Sequence, residues 1–297
     1  MVKGPLVSVG LPVYNGENFL DETLKALRKQ SYQNIEIVIS DNGSTDKTQS
    51  ICEFHSGEDV RIKYFRYDEN RGAAWNYNNA FAKARGKYFM WAAHDDLHHA
   101  DYVEKCVELL EERPEVVLCF SRTMFIDQDG NELYEFDYPV NLYTASTRLS
   151  FRRFAQGGHI VHEVFGLIRT DTLRNSPLIG GYHGSDLVLM AYLSLKGTFY
   201  QLDEVLFYHR EHAKRSMKDP QGAKNVTQWF DSKKSGKYVL PHWKRTLENS
   251  KLLIVENDLS VAQKVVGLVD LLRLMYWHKR IFWAELVVFL KAFVFRR

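Results

Sequence analysis

An α/β fold, built on a mainly parallel sheet flanked by helices, is predicted by two observations. Short apolar runs alternate with helix-length amphipathic segments over the first 120 residues, the rhythm of consecutive βα units. The apolar runs also end in polar turns, Pro12 to Asn15, Asp41 to Asp46, Asn70 to Gly72 and His94 to Asp96, which is where ligands bind in open sheets of this kind.

The elements follow in order. "LVSVGLPVY" reads as a first strand, followed by a helix over 17–30, and "IEIVIS" as a second, followed by a helix over 45–54 that Ser44 or Thr45 can cap. "RIKYFRY", a helix over 73–84, "KYFMWAA", a helix over 101–111 and "EVVLCFS" complete the alternation. Asp129-Gly130 between apolar-rich flanks predicts a β-hairpin. In a less regular region beyond it, Ser185 is placed to cap a helix over 186–195 that Gly197 ends, before another pair of strands. A basic, Gly-, Ser- and Lys-containing loop ("KKSGKY") and helical patterns from Trp243 form a C-terminal extension. The divisions expected are 1–120, 121–213 and 214–297.

With 297 residues and 45% hydrophobic content the chain can bury a sizeable core. A net charge of +2 is too mild to indicate nucleic acid, and the bases Lys233, Lys234, Lys237, Lys244 and Arg245 read as a solvated face. Cys52, Cys106 and Cys119 lack CxxC spacing, which argues for buried thiols in a reducing compartment and against zinc. Pro5, Gly10 and Pro12 interrupt the first apolar run, so no cleaved signal peptide is expected there.

No GxGxxG and no GxxxxGK[ST] follows the first strand, so phosphate needs another partner. A divalent metal, Mn²⁺ or Mg²⁺, bridges phosphate oxygens with only one or two protein carboxylates, and Asp95-Asp96 offers two where the chain leaves a strand. A solvated turn before the next helix is the plainer account of the same pair. Asp41, at the carboxyl edge of a buried strand, is suited to accept from a nucleobase N–H.

"VSVGLPVYNGENFLDETLKALRKQSYQNIEIVISDNGSTDKT" and "NRGAAWNYNNAFAKARGKYFMWAAHDD" together resemble the nucleotide-binding half of the inverting family 2 glycosyltransferases, whose fold is the Rossmann-like GT-A type. The resemblance covers residues 5–120. It implies a nucleotide-sugar donor, UDP-linked, with Pro12 and Tyr14 flanking the nucleoside, Asp41 on the base, and Arg71 and Asn78 near the nucleotide. It further implies that Asp95 contacts ribose or metal and that Asp96 ligates the ion, while His94 stands where the D-x-D pattern has its first aspartate. Asp186, in "GGYHGSDLVLMAYLSLKG", matches the acidic residue that serves as catalytic base, with Glu163 in reserve; without the resemblance, a helix N-terminal Asp explains it. In "FYHREHAKRS", His209, Arg210 and His212 are candidates for a third metal ligand or phosphate clamp, His212 being the better match. His98, His99, His159, His162 and His183 are expected at the surface or in the acceptor cleft.

The implied acceptor is a glycan or a lipid-linked saccharide. "HKRIFWAELVVFLKAFVFRR" carries Glu285 and Lys291 and reads as too short for a bilayer span, so it fits either an interfacial helix or a helix packed on protein. The location expected is cytoplasmic, with 277–297 as a peripheral contact to the inner face of the membrane in the first case. The rival functions are a sugar nucleotidyltransferase, which wants a Gly-rich basic loop that "LPVYNGEN" lacks, and a non-enzymatic nucleic-acid binder, which leaves the strand-end carboxylates unexplained.

Overall fold

A computed structural model describes residues 4–136, 147–158, 160–212, 228–232 and 240–294. Lys233, Lys234, Lys237 and His159 lie outside them.

The first half follows the expected alternation. Strands β1 (Val7–Val13), β2 (Ile35–Asp41), β3 (Ile62–Arg66) and β4 (Tyr88–Trp91) are parallel in the order β3-β2-β1-β4. They are joined by α1 (Leu20–Arg28), α2 (Thr48–Glu58) and α3 (Ala73–Ala82). The side-chain period of two explains how β4 serves two layers. Tyr88 and Met90 enter the core shared with β1, α1 and α4 (Tyr102–Glu112), whereas Phe89 and Trp91 enter the opposite core against α3, α5 (Thr147–Gln156) and α7 (Ser185–Lys196). All three cysteines are free and buried, as structural thiols should be.

The second half departs from a parallel sheet. Strand β6 (Val116–Ile126) does not neighbour β4, because the three-residue β8 (Leu167–Arg169) lies between them and pairs antiparallel to both. A three-residue run has too few side chains to show a period, so its pairing is decided by tertiary contacts. The Asp129-Gly130 hairpin forms as expected and ends in β7 (Glu132–Glu135). In place of a pair of strands after Gly197, one strand of 13 residues, β9 (Thr198–Arg210), runs parallel to β6 with irregular register near Arg122. Its far edge pairs with the two-residue β5 (Leu97–His98) immediately after the paired aspartates. Beyond α6 (Thr170–Arg174) and α7, the extension consists of α8 (Pro241–Val255), α9 (Val261–Trp277) and α10 (Lys279–Val294).

Candidate active site

The loops that follow β1, β2 and β3 are fastened to one another. Asn15, at φ 54°, donates its N–H to Ser44 Oγ and accepts from the Thr45 N–H through Oδ1, both at 2.9 Å. Gly16 N–H donates to Thr48 Oγ1, and Arg71 N–H donates to Asn42 Oδ1. Gly43 adopts φ +77°, and a Cβ there would stand 2.9 Å from the backbone of Glu69, so glycine is required for the two loops to approach. The result is a rigid rim at the carboxyl edge of the sheet. Tyr14 stands exposed on it, while Pro12 is buried within β1.

Asp41 ends β2 fully buried, accepting from the Ser44 N–H (2.9 Å) and the Tyr64 hydroxyl (2.8 Å), with Arg66 Nε at 3.7 Å. Burial and the Asp41 charge together push the Tyr64 phenol well above its ordinary range, so it stays a donor.

The turn after β4 is held from three sides, and this separates its two aspartates. The Thr23 hydroxyl of α1 lies 2.9 Å from the carbonyl of His94 and 3.1 Å from that of Asp96. Arg210 Nε donates to the Asp95 carbonyl (3.0 Å), and Arg210 N–H donates to Asp96 Oδ1 (2.9 Å). His209 Nδ1 lies 3.1 Å from Asp96 Oδ2. Both Asp96 oxygens are therefore engaged inside the protein, and the side chain is 2% exposed. The expectation that Asp96 ligates a cation does not fit this geometry; it anchors the turn to the end of β9.

Asp95 is the aspartate left at the site. Its Oδ2 lies 2.9 Å from His212 Nε2 and its Oδ1 4.0 Å from His94 Nδ1. Burial opposes its ionisation, but the charges of His94, His212 and His209 and the hydrogen bond from His212 hold its carboxyl down at about 2. It is an anion bracketed by two imidazoles. Asp95 and His212 together offer one carboxylate oxygen set and one imidazole nitrogen to a divalent ion, leaving the other positions to phosphate oxygens and water, a donor set that suits Mg²⁺ or Mn²⁺ with a nucleotide. No cluster of three His, Cys, Asp or Glu side chains arranged for a metal occurs among the described residues.

Arg210 is not available as a phosphate clamp. Its guanidinium is 1% exposed, donates to the carbonyls of Asp127 and Gln128 and to Glu22 Oε2, and stacks 4.9 Å from the Phe19 ring. His209 is likewise turned inward. His98 and His162, expected at the surface or in the acceptor cleft, are buried against the Phe207 ring in the aromatic layer beneath the turn, and burial drives His98 down to about 3, keeping it neutral.

Two further residues part company. Arg71 remains half-exposed, stacked on Trp75 at 4.9 Å and paired with Glu69. Together they line an open cleft of ≈ 510 Å³ with Ile179, Gly181 and Phe230. Asn78 faces the same cleft, but its amide is spent: Nδ2 donates to the Ile179 carbonyl (2.9 Å) and Oδ1 accepts from the Ile179 N–H (3.0 Å). It clamps α3 to the loop before α7, which does not fit the expected nucleotide contact.

Asp186 lies in the first turn of α7. Gly184, in the left-handed conformation, precedes the helix, and Ser185 makes no capping bond, contrary to expectation. Asp186 Oδ1 accepts from the Leu187 N–H, and burial raises its carboxyl above the ordinary range despite the nearby His183 and Arg245. Burial raises the Tyr77 phenol well above its ordinary range, with smaller contributions from the charges of Asp95, Asp96 and Asp186. The sequence reading passed over Tyr77; its signal was the helical spacing from Ala74 through Tyr77 to Phe81, which turns that face of α3 to the sheet. Glu163 is fully buried, 3.7 Å from Arg153.

The model of glycosyl transferase family 2 matches residues 8–175, more than half of the chain. The chain belongs to that family. Among curated relatives of this glycosyltransferase family member, an uncharacterized glycosyltransferase of Rickettsia typhi is 36% identical over 131 residues, covering 44% of this chain and 40% of its own. The putative teichuronic acid biosynthesis glycosyltransferase TuaG of Bacillus subtilis is 35% identical over 132 residues, covering 44% and 52%. The matches thus span about half the length of these relatives. In fold, the family member is similar to S. aureus TarS 1-349, with TM-score 0.67 at 16% identity over 93% of this chain and 72% of that one; TarS has also been solved with UDP-GlcNAc. It is similar as well to the mannosyltransferase PcManGT of Pyrobaculum calidifontis, solved with GDP-Man and Mn²⁺, with TM-score 0.55 at 16% identity over 97% and 88%. The architecture is accordingly GT-A, with a helical C-terminal extension.

Proposed function

We propose that this chain transfers a sugar from a nucleotide-sugar donor, UDP-linked, to an acceptor hydroxyl with inversion at the anomeric carbon, in the assembly of a polysaccharide or glycolipid. The observation that carries this reading is the bond between Asp95 Oδ2 and His212 Nε2, which sets a carboxylate and an imidazole side by side where the chain leaves β4 and β9. The UDP-GlcNAc complex of TarS and the teichuronic acid assignment of TuaG favour the donor and the setting.

In this reading the nucleoside lies along the rim that carries Tyr14 and Arg71, while the expected contact of Asp41 with the base does not fit its burial between the Ser44 N–H and the Tyr64 hydroxyl, from where it holds the rim. Asp95 and His212 would hold a divalent cation, which when bound would neutralise negative charge on the diphosphate. Asp186 accepts the proton of the acceptor hydroxyl while that oxygen forms the new bond to the anomeric carbon and the carbon–diphosphate bond breaks. One displacement at one carbon inverts its configuration. Asp186 is preferred over Glu163 because Glu163 faces Arg153 in the core. Burial raises the Asp186 carboxyl and makes the carboxylate a stronger base than a solvated one.

A thermal-shift series with UDP, GDP and TDP, each with Mn²⁺, Mg²⁺ or chelator, tests the donor and metal halves of this reading. A metal-dependent upward shift with UDP is expected. No shift with any nucleotide under any of these conditions counts against it.

A further inference from the structure

Helix α9 is apolar on two sides. Gly267, Leu271 and Leu274 pack inward, yet Val265, Val269, Leu272 and Tyr276 form a second stripe, at i, i+4, i+7 and i+11, that faces solvent; Leu272 is 65% exposed and Tyr276 67%. Helix α10 continues the pattern with Trp283, at 64%, followed by Val287 and Leu290. Apolar side chains recurring at helical spacing on the exposed side of each of two successive helices exceed the isolated exposed residues of an ordinary surface.

The charges on the same helices have one sign. Arg273, Lys279, Arg280 and Lys291 are exposed. The two carboxylates of α9 and α10 are both withdrawn: Asp270 is buried under Arg148, at 2.8 Å, and Glu285 is held by His242, at 2.5 Å. Tyr276, Trp277 and Trp283 add rings of the kind that settle at the level of lipid headgroups. No helix among the described residues is long and apolar enough to cross a membrane.

We propose that the outer face of α9 and α10 docks on an anionic lipid surface, the apolar stripes entering the headgroup boundary and the bases meeting lipid phosphates. A second copy of the chain is the poorer occupant, because a two-fold contact would set these bases against bases with no exposed carboxylate among the described residues of the two helices to answer them.

The test is flotation of the whole chain with vesicles of phosphatidylcholine alone or with about 30% phosphatidylglycerol, at low and at raised salt. Each altered residue is exposed, so Val269→Asp/Leu272→Asp and Lys279→Glu/Arg280→Glu should fold, as circular dichroism and melting would verify. The expected result is flotation with anionic vesicles only, weakened by salt, and reduced about tenfold or more in both variants. Absence of flotation, or equal flotation of the parent and Val269→Asp/Leu272→Asp, overturns the proposal. So does a dimer by light scattering that the same double substitution converts to monomer, since the face would then join two copies. None of these readouts depends on transferase activity.

Discussion

His212 Nε2 lies 2.9 Å from Asp95 Oδ2, joining the chain just after β9 to the turn after β4 across 117 residues of sequence. Asp96, next in the chain, turns inward to Arg210 and His209 instead. Adjacent carboxylates thus have different partners, Asp95 meeting His212 and Asp96 meeting Arg210 and His209.

Asp95→Ala and Asp96→Ala should therefore fail differently. Asp95→Ala is expected to cost less stability than Asp96→Ala, since only the His212 bond and the nearby imidazole charges are lost, and to lose metal-dependent nucleotide binding in calorimetry. Asp96→Ala strands a buried N–H and an imidazole and should cost about 3 kcal/mol of stability in denaturant titration. Equal stability losses in the two variants would contradict the division.

Removing the Asp186 carboxylate should spare the ground state. Asp186→Asn is expected to bind nucleotide normally and to lose about 10²- to 10⁴-fold in turnover. This is measured by release of the nucleoside diphosphate alongside calorimetry, and unchanged turnover would remove Asp186 from the reaction.

The raised Asp186 carboxyl also sets a pH dependence. The protonated form cannot accept a proton, so kcat/KM should fall with decreasing pH on a limb above the ordinary carboxylate range of about 4. For stability the sign is reversed. A raised folded-state value gives a contribution that is present below the unfolded value and lost as pH rises through the folded one. Melting curves of the parent and of Asp186→Asn should therefore converge at low pH relative to neutral pH if the substitution removes this loss, with the parent relatively weaker at neutral pH.

Arg210→Met should affect the site without touching a substrate. It removes the donors to the Asp95, Asp127 and Gln128 carbonyls. The expected loss is about 3 kcal/mol in stability, with weaker metal-dependent nucleotide binding in the fraction that folds. Glu22→Gln, which alters only the half-exposed partner, should cost under about 1 kcal/mol.

Asn78→Ala distinguishes a clamp from a ligand contact. Loss of its two bonds to Ile179 should lower stability by about 1 to 2 kcal/mol while leaving nucleotide affinity within about twofold. A large drop in nucleotide affinity at unchanged stability would return Asn78 to the nucleotide.

Much of the fold was legible because local patterns carried it. The first four strands and their helices are announced by periodicity, and the Asp129-Gly130 turn by its residues. The pairing of β8 between β4 and β6 was not, because Leu167–Arg169 is too short to display a face. At the candidate site, sequence pointed to the turn of Asp95 and Asp96 and to His212, and the structure brings Asp95 and His212 together. Sequence could not apportion their roles, since two neighbouring aspartates differ only in partners more than a hundred residues away. Asn78 misled for the same reason: a polar side chain near a predicted ligand looks alike whether it meets that ligand or the backbone of Ile179, 101 residues on.

The Thr23 hydroxyl carries a wider implication. Because α1 grips the carbonyls of the carboxylate turn through this residue, and Leu24 and Leu27 seat α1 on the sheet, the posture of the turn is inherited from the seating of a helix that supplies none of the proposed cation ligands. A random search for inactive variants should consequently recover lesions in the hydrophobic underside of α1, each with every candidate ligand still in its place in the chain.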